Sequence, residues 1–157
     1  MVVCAIQLLF IKLGNGTRQG GILSPYLFRR YIRDLLDKLE TSGVGCCIAG
    51  MMIHVLAYAD DIVLMAPSWT ALQHLLFVLE NHIENIDLMC NVKKTVCMVF
   101  DPRQRSKIVA ETFPKFQIES NYLQFVTKLK YLGHIITRVC GQLIAGQLIA
   151  GQLSADS

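Results

Sequence analysis

Asp60 and Asp61 stand side by side between two short apolar runs, residues 51–56 and 62–66. Ionised together on a buried hairpin, the two carboxylates would repel each other unless a cation neutralised them. Hard carboxylate oxygens suit magnesium, which keeps several waters and bridges to phosphate oxygens. Flanking apolar strands would hold the pair rigidly at a sheet tip, as a metal site requires. The competing reading is a solvent-exposed acidic turn, because Asp favours turns for backbone reasons. Judged alone, an Asp-Asp pair is turn chemistry more often than a metal site, so the surrounding segments decide.

The elements that would position such a pair follow from periodicity. Residues 1–13 form an apolar run broken by Gln7 and Lys12, read as a strand. The run is too short to span a membrane and has no basic residue ahead of its apolar part, which disfavours a signal peptide. Gly14-Asn15-Gly16 marks a turn and Gly20-Gly21 a second flexible point. Ser24-Pro25 predicts a helix start, with Ser24 as N-cap, and Phe28, Ile32, Leu35, Leu36 and Leu39 carry the helical spacing through Glu40. The runs 51–56 and 62–66 are two strands whose connection, centred on Ala59-Asp60-Asp61, has hairpin length. From Thr70 a second helix places Leu72, Leu75, Leu76, Leu79, Ile83 and Ile86 on one face. Asn91–Lys94 is a polar turn before a strand over 95–100, and 116–118, 123–126 and 130–137 read as further short strands. The fold class this predicts is α+β, with a mainly antiparallel sheet and packed helices.

Composition sets the outer bounds. The 157 residues suffice for one domain with a real core. At 53% hydrophobic and 17% charged, the chain is apolar for a soluble domain and fits a segment whose partner surfaces are missing. A net charge of +3 permits a nucleic-acid partner without arguing strongly for one. The six cysteines form no Cys-x-x-Cys pair and Cys46-Cys47 is adjacent, so reduced thiols in a cytoplasmic or nuclear protein are expected. The histidines show no metal-ligand spacing. Arg103, Arg105 and Lys107 form a basic loop that reads as solvated, with phosphate contact as the sharper option. Residues 141–155 repeat Gly-Gln-Leu-Ile-Ala twice and Gly-Gln-Leu-Ser-Ala once, a period of five that matches neither helix nor strand.

Four ordered motifs give Asp60-Asp61 a context. Arg18-Gln19-Gly20, continuing through Ser24-Pro25-Tyr26-Leu27-Phe28, precedes Tyr58-Ala59-Asp60-Asp61. Asn91 to Thr95, with the pattern Asn-x-x-Lys-Thr, follows it, and Tyr131-Leu132-Gly133 comes last. In these residues the chain resembles the reverse transcriptases of non-LTR, LINE-like retrotransposons, over roughly residues 14–137. The resemblance implies a palm-type antiparallel sheet and RNA-directed DNA polymerase chemistry, with an RNA template, a DNA primer and dNTP as partners and no membrane. It divides the chain into a partial reverse transcriptase domain, 1–138, and a low-complexity tail, 139–157.

Residue by residue, the resemblance assigns Asp60 and Asp61 to a two-metal Mg2+ site that activates the primer 3′-hydroxyl and stabilises the leaving pyrophosphate. Lys94 matches a lysine assigned as proton donor to pyrophosphate, although Lys93 is adjacent and a solvated turn lysine is the bland alternative. Arg18, Gln19, Gly20 and Tyr58 fall at nucleotide- or template-binding positions. A structural ion pair for Arg18 and a half-buried strand aromatic for Tyr58 remain open. Tyr131, Leu132 and Gly133 match the primer grip, against a plain sheet-core role for Leu132. One departure matters most. The family carries a first metal-binding Asp upstream of the Arg-Gln-Gly motif, and residues 1–13 contain no Asp or Glu. Fingers and most of the thumb are also missing, which implies a fragment inactive alone. The alternative is a non-catalytic mobile-element remnant with at most weak nucleic-acid binding. A third reading is an unrelated small α+β binding domain.

Overall fold

The computed structural model describes residues 1–10, 22–100 and 114–137. Strand β1, Val2–Phe10, is the centre of a six-stranded sheet, and its alternation of side chains explains why. Val2, Cys4, Ile6 and Leu8 all point to one face and are buried, as period-two patterning requires. Strands β2 (Cys46–Ile48) and β3 (Met51–Ile53) form a small hairpin of their own. Strands β4 (Val55–Tyr58) and β5 (Asp61–Ala66) form the next. β5 runs antiparallel along β1, from Val2 opposite Ala66 to Gln7 opposite Asp61.

On the other side of β1, two short strands share its length. β6 (Leu88–Cys90) pairs with Leu8–Phe10, and β7 (Val96–Val99) pairs with Val2–Ala5. Strands β8 (Gln117–Ile118) and β9 (Asn121–Tyr122) form a tight hairpin, and β10 (Gln124–Phe125) joins the sheet edge beside β7, the single parallel pairing in this sheet among the described residues. The last hairpin is β11 (Lys128–Tyr131) with β12 (His134–Thr137). The sheet order is β10-β7-β1-β5-β4, with β6 also on β1.

Among the described residues, α2 (Arg33–Thr41) and α3 (Trp69–Ile83) pack on one face of the sheet, and α1 (Ser24–Tyr31) lies against α2. Helix α3 buries Leu72, Leu75, Leu76, Leu79 and Ile83, the stripe its spacing predicts, against β1 and β5. Each such side chain contributes about 1.5–3 kcal/mol by leaving water. Ser68 caps α3, its Oγ accepting from the Ala71 backbone N–H at 3.3 Å. The opposite face holds a smaller cluster of Val3, Cys46, Val63 and Met65, with Tyr131 packed against it. The structure therefore bears out mixed α and β content with an antiparallel-rich sheet and packed helices.

Several expected boundaries move. The single helix expected from Ser24 through Glu40 is two, separated at Ile32, whose backbone (φ −87°, ψ 7°) leaves the helical region while its side chain stays buried. Ser24 is not the N-cap; Leu23 is, with no side-chain cap. Tyr31 at the break donates its hydroxyl hydrogen to the Ile86 carbonyl. Helix α3 ends at Ile83 and continues as one 3-10 turn to Ile86. The run 51–56 divides at His54 between two hairpins, and 130–137 folds back on itself rather than forming one strand. Periodicity cannot mark such reversals where no Asn-Gly or Asp-Gly announces them. Gly45 meets its neighbours closely, since a Cβ there would stand 2.7 Å from the Ile53 carbonyl oxygen.

Candidate functional site

The acidic pair lies at the end of the β4–β5 hairpin. Tyr58 and Asp61 pair across it, leaving Ala59 and Asp60 as the two turn residues. Ala59 adopts φ 49°, a left-handed conformation that a side chain tolerates poorly. The turn is tied to the central strand, because the Leu8 backbone N–H donates to the Asp60 carbonyl at 2.9 Å.

Gln7 on β1 completes this arrangement. It stands directly opposite Asp61 in the strand register, and its Nε2–H donates to Asp60 Oδ2 at 3.3 Å. On its other side, Asn91 Nδ2–H donates to Gln7 Oε1 at 3.3 Å, and the Asn91 backbone N–H donates to the Gln7 carbonyl at 2.8 Å. Asn91 uses the carbonyl end of the amide, which fixes the nitrogen end toward Asp60.

The Asn91–Thr95 turn is self-contained. Its backbone closes through Lys94 and Thr95 N–H groups donating to the Asn91 carbonyl at 3.0 and 2.9 Å. Thr95, the one buried polar residue among those described, satisfies its hydroxyl on the same carbonyl at 2.9 Å. This turn presents Lys94 to a cleft of about 180 Å³ that is also lined by Gln7, Asp61, Lys130 and Tyr131. Burial raises the Asp61 carboxyl above the ordinary carboxylate range, Asp60 adds to the rise, and Lys94 opposes it. Burial likewise raises the Tyr131 phenol, with Asp61 adding to it.

Three of the expected site segments thus meet at one cleft: Asp61, Lys94 and Tyr131. Asp60 adjoins it through Gln7. Tyr58 is exposed and lines a different groove, with Pro25, Arg29, Ile32 and Val55. Leu132 and Gly133 form the β11–β12 turn at φ 48° and 82°. Leu132 is 45% exposed there, which removes the sheet-core alternative for it. Arg18, Gln19 and Gly20, the basic loop 103–107 and the 141–155 repeat lie outside the described residues. Gln7 and Lys130 also line the cleft without being expected site residues; the signal for Gln7 in the sequence is its polar interruption of an apolar strand.

Divalent metal ions need converging anionic oxygens. Among the described residues no group of three or more His, Cys, Asp or Glu converges. An amide N–H aimed at Asp60 and an ammonium beside Asp61 already supply positive partners. The described residues therefore do not fit a two-metal cluster.

Residues 5–136 match the family described as reverse transcriptase (RNA-dependent DNA polymerase). The chain belongs to the reverse transcriptase family. It is 30% identical over 128 residues to a retrovirus-related Pol polyprotein from type-1 retrotransposable element R2 of Popillia japonica, covering 79% of this chain and 18% of that protein. Over 122 residues it is 32% identical to the corresponding polyprotein from type-2 retrotransposable element R2DM of Drosophila melanogaster, covering 76% and 11%. A third relative, from type-1 element R2 of Nasonia vitripennis, is 30% identical over 129 residues, with 79% and 12% covered. The chain spans less than a fifth of the length of these curated relatives. The matched family is described as one of RNA-dependent DNA polymerases, and the chain's likeness to retrotransposon Pol proteins agrees with the non-LTR resemblance of its motifs.

Proposed function

We propose that this chain is the central, palm-type part of a retrotransposon RNA-directed DNA polymerase, with a catalytic centre that is incomplete in these residues. The observation that carries the reading is the meeting of Asp61, Lys94 and Tyr131, from three separate motifs, around one cleft. In this reading Asp60 and Asp61 are the magnesium-facing carboxylates, and magnesium would supply activation of the primer hydroxyl in a complete polymerase. Lys94 stands where a cation could protonate or steady a leaving oxyanion. Tyr131, Leu132 and Gly133 present a hairpin to the primer strand. Tyr58 is read as a nucleotide- or template-binding residue, and Arg18, Gln19 and Gly20 take that role from their motif alone. RNA template, DNA primer and dNTP are the partners, with an upstream palm and fingers segment, in the cytoplasm or nucleus.

Among the described residues no third carboxylate joins Asp60 and Asp61, and on this reading the chain alone does not polymerise. The Gln7 amide at the acidic turn favours the companion reading, a non-catalytic remnant that still binds nucleic acid. Fluorescence anisotropy with a labelled RNA–DNA primer–template tests both. Salt-dependent binding, weakened by Lys94→Gln and by Lys130→Gln, is expected, with no primer extension in magnesium and dNTP. Absence of binding at low salt would overturn the nucleic-acid reading. Extension abolished by Asp60→Asn would overturn the claim of inactivity.

A further inference from the structure

We propose that Gln7 is a positioning residue that fills a metal-ligand place with a neutral amide, and that restoring a carboxylate there completes a divalent-cation site. The inference rests on reading Asp60-Asp61 as a metal-facing pair. Its geometric basis is specific to this chain. Gln7 is opposite Asp61 in the β1–β5 register, and its Nε2 is 3.3 Å from Asp60 Oδ2. Oxygens bound to one magnesium ion at about 2.0–2.1 Å on adjacent octahedral corners stand about 3 Å apart. The Gln7 side chain therefore already holds a polar atom at nearly the spacing two ligands of one ion would take. That atom is a nitrogen bearing hydrogens, which donates to the carboxylate and offers a cation no lone pair.

Asn91 sets this orientation. Its Nδ2–H occupies the Gln7 oxygen at 3.3 Å, so turning the amide to offer that oxygen would set two N–H groups against each other and an oxygen against Asp60. The amide is thus locked as a donor. It stands in for the cation by neutralising part of the charge on Asp60. The isosteric change Gln7→Glu replaces the donor by an anionic oxygen at the same place, and the unchanged Asn91 N–H still holds the other oxygen. Without metal, this variant sets like charges together and is less stable than wild type. With metal, three carboxylates converge and the order reverses.

Mn2+ binding by EPR and thermal melting in Mn2+ or in EDTA test this on the full chain. Gln7→Glu is expected to bind one ion on the order of tenfold more tightly than wild type, since charge count tunes such sites. Its melting temperature should rise in Mn2+ and fall in EDTA, and Asp61→Asn in the same chain should abolish both. Folding of Gln7→Glu only in Mn2+ supports the proposal equally. If Gln7→Glu folds but binds no tighter than wild type, or keeps its gain with Asp61→Asn, the proposal is wrong. Should it not fold even in Mn2+, the shorter Gln7→Asp is measured in its place, and failure there also overturns it. Primer–template binding, measured separately, can fail or succeed independently, so loss of the polymerase reading is distinguishable from loss of this one.

Discussion

Replacing Gln7 and Asp60 by alanine, singly and together, isolates the contact on which the turn geometry depends. A hydrogen bond to an ionised group contributes about 1.5–3 kcal/mol. The Gln7–Asp60 contact is 3.3 Å, longer than the usual 2.9–3.0 Å for N–H···O, and both residues are half-buried. These features lower the expected coupling to about 1 kcal/mol. Gln7→Ala also leaves Asn91 Nδ2 without its acceptor, but that loss occurs in both legs of the cycle and cancels. Urea unfolding of the four proteins at neutral pH and fixed ionic strength gives the coupling directly, provided the slopes agree. The double variant should be about 1 kcal/mol more stable than the sum of the single losses predicts. Additivity within about 0.3 kcal/mol would refute the claim that Gln7 clamps Asp60.

Four further outcomes follow from the same structure. Leu79→Ala, in the fully buried stripe of α3, should cost about 2–5 kcal/mol in a urea melt, with a loss below about 1 kcal/mol arguing against that packing. Ala59→Gly should raise stability by about 1 kcal/mol by relieving the φ 49° backbone, whereas an unstrained turn would lose stability through chain entropy. Asp61 carries a raised carboxyl, so its stabilising share is full below the unfolded pKa of about 3.9 and is lost as pH rises through the folded value. Asp61→Asn should therefore match wild type in acid and gain on it progressively toward neutral pH; a constant difference across denaturation curves would count against the shift. Among the described thiols, exposed Cys47 should react first with iodoacetamide near neutral pH, while Cys90, pushed up to about 12 by burial and then by Glu119 and Glu80, should label only on unfolding.

The helix faces were plain in the sequence because Leu72, Leu75, Leu76, Leu79 and Ile83 recur with helical period and every one is buried. Strand existence was legible in β5 and β7 from short, partly β-branched apolar runs. Chain reversals were not. Tyr131-Leu132-Gly133-His134 turns with Leu in a left-handed conformation, and Glu119-Ser120 does likewise, so residue preference pointed away from both turns. Ile32 breaks its helix while keeping helical spacing in the sequence, and only the packing beneath it reveals two segments. At the candidate site, motif order pointed to Asp61, Lys94 and Tyr131, but their lining of one cleft depends on non-local pairing that spacing does not encode. Gln7 shows the limit most clearly. As a residue it is a polar interruption in an apolar run, and only the register with β5 sets it opposite Asp61.

Magnesium titration followed by backbone NMR would show whether the Asp60-Asp61 turn is a metal-facing but incomplete site. Weak, saturable shifts in the millimolar range are expected, centred on Asp60, Asp61 and Gln7 and absent in Asp61→Asn. No shift at these residues at millimolar magnesium would contradict the metal-facing assignment, and micromolar saturation in the unmodified chain would contradict its incompleteness.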